Sequence, residues 1–228
     1  MSADGVAKRL DALRQRAAAA CARAGRDPAA LTLLGVAKRV PPSRVAEALD
    51  AGLADVGESY LQEALERRAA LASAPPARWH FIGRLQRNKA RAAATHFDVV
   101  HTLDRKSLGD ALERGAAAAG RQLEVLVQVD LSAEEQKGGI APERVAELLD
   151  ASPGWPHLKL RGLMAIPAPA ADPEASRPAF AALRTLRERL AHPDLVELSM
   201  GMSADFEVAI EEGATIIRLG TALFGPRE

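Results

Sequence analysis

Residues 31–59 read LTLLGVAKRVPPSRVAEALDAGLADVGES. The apolar run 31–38 is rich in Leu and Val and has the length of a strand buried on both faces. Pro41-Pro42 then stops it, and 43–51 carries apolar residues at helical spacing. After Gly52 a second short run, 55–59, reads as another strand. That is one strand–helix–strand unit of the kind that builds parallel sheets.

The unit recurs along the chain. Strands are expected at 31–38, 55–59, 78–83, 97–103, 124–131, 159–166, 197–202 and 215–220. Helices are expected near 43–51, 60–73, 86–93, 105–119, 142–151, 174–191 and 204–212. Gly and Pro fall in the gaps. Eight such strands are the count of a (β/α)8 TIM barrel, with a doubly wound open sheet as the alternative, because alternation does not show closure. No linker divides the 228 residues, so a single barrel domain over 1–228 is expected, preceded by a helix at about 3–24. That first segment is broken by Arg and Asp at helical spacing and lacks the apolar stretch of a signal peptide.

Thirty basic residues balance thirty acidic ones. A net charge of zero gives no electrostatic reason to expect a nucleic-acid or membrane partner. The segment RLQRNKAR at 84–91 is basic, but no aromatics interleave it, so it reads as a solvated face rather than an RNA site. No stretch approaches the ~20 apolar residues of a membrane span. The single cysteine, Cys21, excludes an intramolecular disulfide and fits a reducing compartment. A cytoplasmic location is the expectation. There is no Cys/His cluster at metal-binding spacing.

In such barrels the chemistry sits where the strands end. Strand 1 ends in a primary amine, Lys38. Period-2 alternation puts it on the face of Leu34 and Val36, which would aim it into the barrel mouth. A solvated strand cap is the bland alternative. Strand 7 runs into SMGMS, 199–203, where Ser199, Gly201 and Ser203 alternate onto one side. Ser203 is placed to cap the next helix, with Asp205 in its first turn. Strand 8 carries Arg218 between apolar neighbours, followed by Gly220 and Thr221. A buried arginine needs a partner, either a ligand or an acid inside the barrel. The loops after strands 7 and 8 are the usual phosphate site of this architecture. An amine, a phosphate cradle and an interior arginine together fit pyridoxal 5′-phosphate, which forms a Schiff base with a lysine and whose pyridine nitrogen is met by Asp or Arg.

The blocks LLGVAK, DVGESYLQEA, RWHFIGRLQRNKAR, VLVQVDLSAEEQKGG, RGLMAI, LSMGMSADFEVAIEEGAT and IRLGTALFG resemble, in order, those of the pyridoxal-phosphate homeostasis protein family. The resemblance implies a fold-type III barrel like the N-terminal domain of alanine racemase. It implies Lys38 as the aldimine lysine, with Ser199, Ser203, Gly220 and Thr221 at the phosphate and Arg218 at the pyridine nitrogen. It further implies a role in keeping the cofactor, and amino and keto acids, in balance, with dependent apoenzymes as the partners to consider and a monomer as the expected state. Many members carry Asn where this chain has Ser59, and the shorter serine makes a lesser contact with the cofactor.

Two other functions compete. One is a slow amino-acid racemase. The eight strands leave eight residues after Gly220, and the only tyrosine is Tyr60, so the β-rich second domain and tyrosine base of such racemases are not expected. The other is a phosphosugar-binding barrel. His80, inside strand 3, reads as a satisfied core histidine. Lys137, ahead of Gly138-Gly139, reads as a solvated loop lysine, with a second acceptor of the cofactor as the alternative.

Overall fold

The computed structural model describes residues 5–131, 138–168 and 170–226. Eight strands close into a barrel in sequence order. They are β1 (Thr32–Val36), β2 (Asp55–Glu58), β3 (Arg78–Phe81), β4 (Val99–Leu103), β5 (Leu123–Gln128), β6 (Leu158–Met164), β7 (Glu197–Met202) and β8 (Ile216–Leu219). Every pairing is parallel, and β8 returns to β1 with Leu34 opposite Arg218. Closure therefore decides between the two architectures: the fold is the TIM barrel, not the open sheet.

The helices are α1 (Val6–Arg23), α2 (Pro42–Asp50), α3 (Leu61–Ala70), α4 (Ala90–His96), α5 (Lys106–Ala118), α6 (Val145–Ala151), α7 (Arg177–Leu190), α8 (Phe206–Glu211) and α9 (Thr221–Phe224). Leu10, Leu13, Ala17, Ala20 and Cys21 form the buried stripe of α1. They recur at three- and four-residue spacing, as one helical face requires. Ion pairs Arg16–Glu207 and Arg23–Glu211 tie α1 to α8. Burial raises the Cys21 thiol, which makes it a core residue rather than a reactive one.

The core has two compartments. Leu34, Val99, Leu126, Met164 and Ile216, with Ile82, fill the barrel interior. A larger cluster lies between strands and helices. Strands keep their order but end one to three residues early at several places; the expected strand 31–38 stops at Val36. The apolar run outlasts the ladder, so Lys38 lies in a turn beyond the strand rather than at its last rung. The expected helix 86–93 begins as a 3-10 turn at Arg87–Lys89 and becomes α-helical only from Ala90.

Candidate cofactor site

Four consecutive strands of the closed ring, β7, β8, β1 and β2, bring Ser203, Gly220, Thr221, Lys38 and Ser59 to one end of the barrel. This is the C-terminal end, where loops rather than packing set the side chains.

Lys38 is half-buried. Its Nζ lies 5.1 Å from the centroid of the Tyr60 ring, a cation–π contact, and it makes no hydrogen bond or ion pair with any described residue. Its turn is held from behind. The residue after it, Arg39, has φ +57°, a left-handed conformation that costs a non-glycine residue ~1–2 kcal/mol. Such strain persists only where surrounding contacts impose it. Here they come from Arg67 on α3, which donates from Nη2 to the Ala37 carbonyl at 3.0 Å and from Nη1 to the Val40 carbonyl. Arg67 is anchored in turn by Glu58 at 2.6 Å, with side chains 6% and 0% exposed. Burial pushes the Glu58 carboxyl up, and Arg67 opposes that rise.

Arg218 is buried inside the barrel. The alternative of a salt bridge to an interior acid is corrected by its contacts. Nη1 donates to the Ser199 carbonyl at 2.7 Å and the Ser199 hydroxyl at 2.8 Å, and Nη2 donates to the Ala165 carbonyl at 2.9 Å. All three acceptors are neutral. One Nη2 hydrogen and the Nε hydrogen remain without a described partner. Burial brings the guanidinium down to about 10, so it stays a cation at neutral pH.

The strand 7 residues separate. Ser199 is fully buried and is engaged by Arg218 through both its carbonyl and its hydroxyl. The expected alternation fails at Gly201, whose φ is +88° and where an added Cβ would lie 2.5 Å from the Ala209 methyl. Gly201 therefore faces α8, within an irregularity in the β7–β8 register. Ser203 is not the cap of α8: Asp205 occupies that position, its carboxylate accepting from the Met202 amide at 2.7 Å and the Ser176 hydroxyl at 2.9 Å. Ser203 instead accepts from the Ala222 amide at 3.2 Å, joining the β7 loop to α9. An added Cβ at Gly220 would meet only Val36, at 3.7 Å. Packing of the protein does not demand a glycine there. The open space beside it suits a ligand approaching the backbone closely. Thr221 is exposed and Ser59 half-buried.

A cleft of about 1210 Å³ opens on the β2–β5 side and is lined by Ser59, Tyr60, Arg84, Arg105, Gly138 and Gly139 among others. Tyr60 is its link to Lys38. Arg84, Arg87 and Lys89 are exposed on its wall, so the basic segment is a solvated face bordering the site. Lys137 lies outside the described residues.

Two polar residues inside the barrel bear on this site. His80 is buried and bonded through both nitrogens, to Asp55 at 2.9 Å and to His101 at 2.8 Å, as a core histidine should be. His101 was not anticipated. Its Nδ1 reaches the Ser199 hydroxyl at 3.0 Å. Burial, then His80 and the cation of Arg218, hold it well below the ordinary imidazole value, so it is neutral.

The chain matches the model of the alanine racemase N-terminal domain over residues 9–228. It is 49% identical to the pyridoxal phosphate homeostasis protein of Pseudomonas aeruginosa, over 99% of this chain and 96% of that one. It belongs to this family. The relative of the same name from Aquifex aeolicus is 44% identical, over 97% of this chain and 98% of that one. Among solved structures, PipY of Synechococcus elongatus with PLP bound superposes with a TM-score of 0.84 at 37% identity, covering 96% of this chain and all (100%) of that one. An alanine racemase from Streptomyces lavendulae shares the fold, with a TM-score of 0.70 at 24% identity, but this chain covers only 57% of it.

Proposed function

We propose that this protein binds pyridoxal 5′-phosphate on Lys38 and acts in the homeostasis of that cofactor and of amino and keto acids, rather than as a turnover enzyme. The observation that carries this is the pair of cations left unmatched at one end of the barrel. Among the described residues Lys38 has no acidic partner, and Arg218, on the adjoining strand, keeps hydrogens without a partner although buried. When bound, the cofactor supplies an aldehyde for an amine and a pyridine nitrogen for a donor. Lys38 is the amine. Arg218 is the donor, and because it remains protonated it does not give the ring nitrogen a full proton, which weakens the ring as an electron sink. Ser203, Gly220 and Thr221, from the loops after β7 and β8, hold the phosphate. Ser59 flanks the ring, and Tyr60 presents its face to the amine. Ser199 acts through Arg218.

Lys38 would hold the cofactor in a form that an incoming amine can displace, the chemistry a donor to dependent apoenzymes would need. The name borne by relatives matched nearly end to end supports this over racemase activity. We place the protein in the cytoplasm, which its single cysteine fits, and expect a monomer. No described helix is long and apolar enough to cross a membrane.

The experiment is the visible spectrum of the protein with added cofactor, before and after borohydride, with peptide mapping. A bleached band and a label on Lys38, both lost in Lys38→Ala with the melting temperature nearly unchanged, are expected. The cation–π contact is worth only about 0.5–1 kcal/mol. A colourless protein would favour the phosphosugar reading, and a label elsewhere would remove Lys38 from its role.

A further inference from the structure

We propose that Asp55, His80, His101 and Ser199 are positioning residues, forming one directed hydrogen-bond chain through the barrel that fixes the Arg218 guanidinium toward the pyridine nitrogen. The proposal rests on the reading of Arg218 given above and extends it to residues that touch no ligand.

The geometry sets the direction of every bond. Asp55, the first residue of β2, lies at the opposite mouth of the barrel with its side chain 18% exposed. An ionised carboxylate only accepts, so His80 Nε2 carries a hydrogen and donates to it. A neutral imidazole has one donor and one acceptor, so His80 Nδ1 accepts and His101 Nε2 must donate to it. His101 Nδ1 is then bare and accepts the Ser199 hydroxyl hydrogen. Ser199 Oγ has only lone pairs left to offer, and those meet Arg218 Nη1. The steps measure 2.9, 2.8, 3.0 and 2.8 Å. With both imidazoles neutral, a carboxylate at one end and a guanidinium at the other leave one arrangement of hydrogens.

The consequence falls on Arg218. With its hydrogen committed to His101, Ser199 cannot compete as a donor. Both hydrogens of Nη1 are spent on Ser199, and the plane of the guanidinium is fixed by Ala165 on the far side. The remaining hydrogens keep one orientation. His80, His101 and Ser199 are each fully buried, so water does not substitute for a missing link.

The test reads the histidines directly. Nitrogen-15 spectra of the protein before cofactor is added should show both imidazoles protonated at Nε2 and bare at Nδ1. Asp55→Asn is isosteric and stands at the mouth, so it folds. Its amide can accept or donate, so the direction is no longer imposed. A second tautomer of His80 and His101 should appear, with pyridoxal 5′-phosphate bound about threefold to tenfold more weakly. Ser199→Ala, which removes the last link, should weaken binding at least as much while leaving the tautomers of His80 unchanged. His101 protonated at Nδ1 in the parent protein overturns the direction. Changed tautomers in Asp55→Asn with unchanged affinity overturn the positioning role. Unchanged tautomers make the chain a filled core and nothing more. Failure of the parent protein to bind the cofactor appears in the titration alone and overturns the site reading instead.

Discussion

Replacing Arg67 by Met separates the stability of this barrel from the placement of the Lys38 amine. Arg67 is 6% exposed and pairs with a Glu58 side chain that is 0% exposed. Removing one member of a buried pair costs about 3–5 kcal/mol, because the other is left as an uncompensated charge. Glu58 Oε2 already has no partner, so nothing else is in place to take over. The relief available is protonation of Glu58, whose carboxyl burial already raises from its ordinary 4.5. Loss of the cation raises it further. A carboxyl raised in the folded state binds more protons there than in the unfolded chain, so stability falls as pH rises from about 4.5 through the folded value. The deficit in Arg67→Met is therefore larger at pH 7 than at pH 5, with about 3 kcal/mol expected at pH 7. Urea unfolding at the two pH values measures it. The double variant Glu58→Leu/Arg67→Met removes the orphaned charge and should recover most of the loss. It does not restore donors to Ala37 and Val40, so the turn that holds Arg39 left-handed is free to relax. Borohydride labelling of Lys38 should stay low in the double variant. A loss below ~1 kcal/mol at pH 7, equal deficits at the two pH values, or full labelling in the double variant would refute the argument.

Arg218→Ala should be less stable than Lys38→Ala by at least ~2 kcal/mol, since it strips the donor from two buried carbonyls at about 1–3 kcal/mol each; equal melting temperatures would count against the placement. His101 titrates well below its ordinary 6.5 when folded, so the unfolded chain binds more protons below that pH. Stability is complete above 6.5 and falls as the solution is acidified through the folded value; His101→Gln should flatten this part of the profile in a series of thermal melts. Gly201→Ala places a methyl 2.5 Å from the Ala209 methyl and 3.1 Å from the Phe206 Cα at a φ of +88°. A loss of about 2 kcal/mol or more is expected in urea, and a neutral substitution would mean the bend in β7 is soft.

The barrel was legible because most of the strands are short runs with Gly or Pro near their ends, and all eight appear where they are expected. Strand ends were not. A run such as LTLLGVAK continues beyond the last ladder bond, since its final residues pack on α3 and the next loop as well as on the sheet. At β7 the alternation of Ser199, Gly201 and Ser203 failed for a local reason, a positive φ at Gly201 that turns the pleat. The chain behind Arg218 was hidden by closure: His101 and Ser199 are 98 positions apart. One signal was available. His80 and His101 both stand at the interior parity of their strands, His101 two residues after the interior Val99. Arg67 also left a trace, as a charged residue on the apolar stripe of α3 with Ala64. A charge on a buried stripe implies a buried counter-charge, and Glu58, on the outward face of β2, supplies it.

The acids of this barrel are as informative as its cations. The chain has thirty acidic residues, yet none of those among the described residues pairs directly with Lys38 or Arg218. Asp205 lies near enough to raise the Arg218 guanidinium electrostatically, but its carboxylate is engaged by Met202 and Ser176. Asp55 is committed to His80 and stands four links from the guanidinium. A carboxylate in direct contact would form a bidentate pair and take two parallel N–H donors. It would make the fold more comfortable with a buried cation and remove the donors from any ligand. Neutral carbonyls and a serine whose hydrogen points elsewhere hold the guanidinium without exhausting it. The same logic sets an aromatic face, rather than an acid, beside the Lys38 amine. An anionic ligand at this end of the barrel would therefore meet two cations that no described acid pairs with directly.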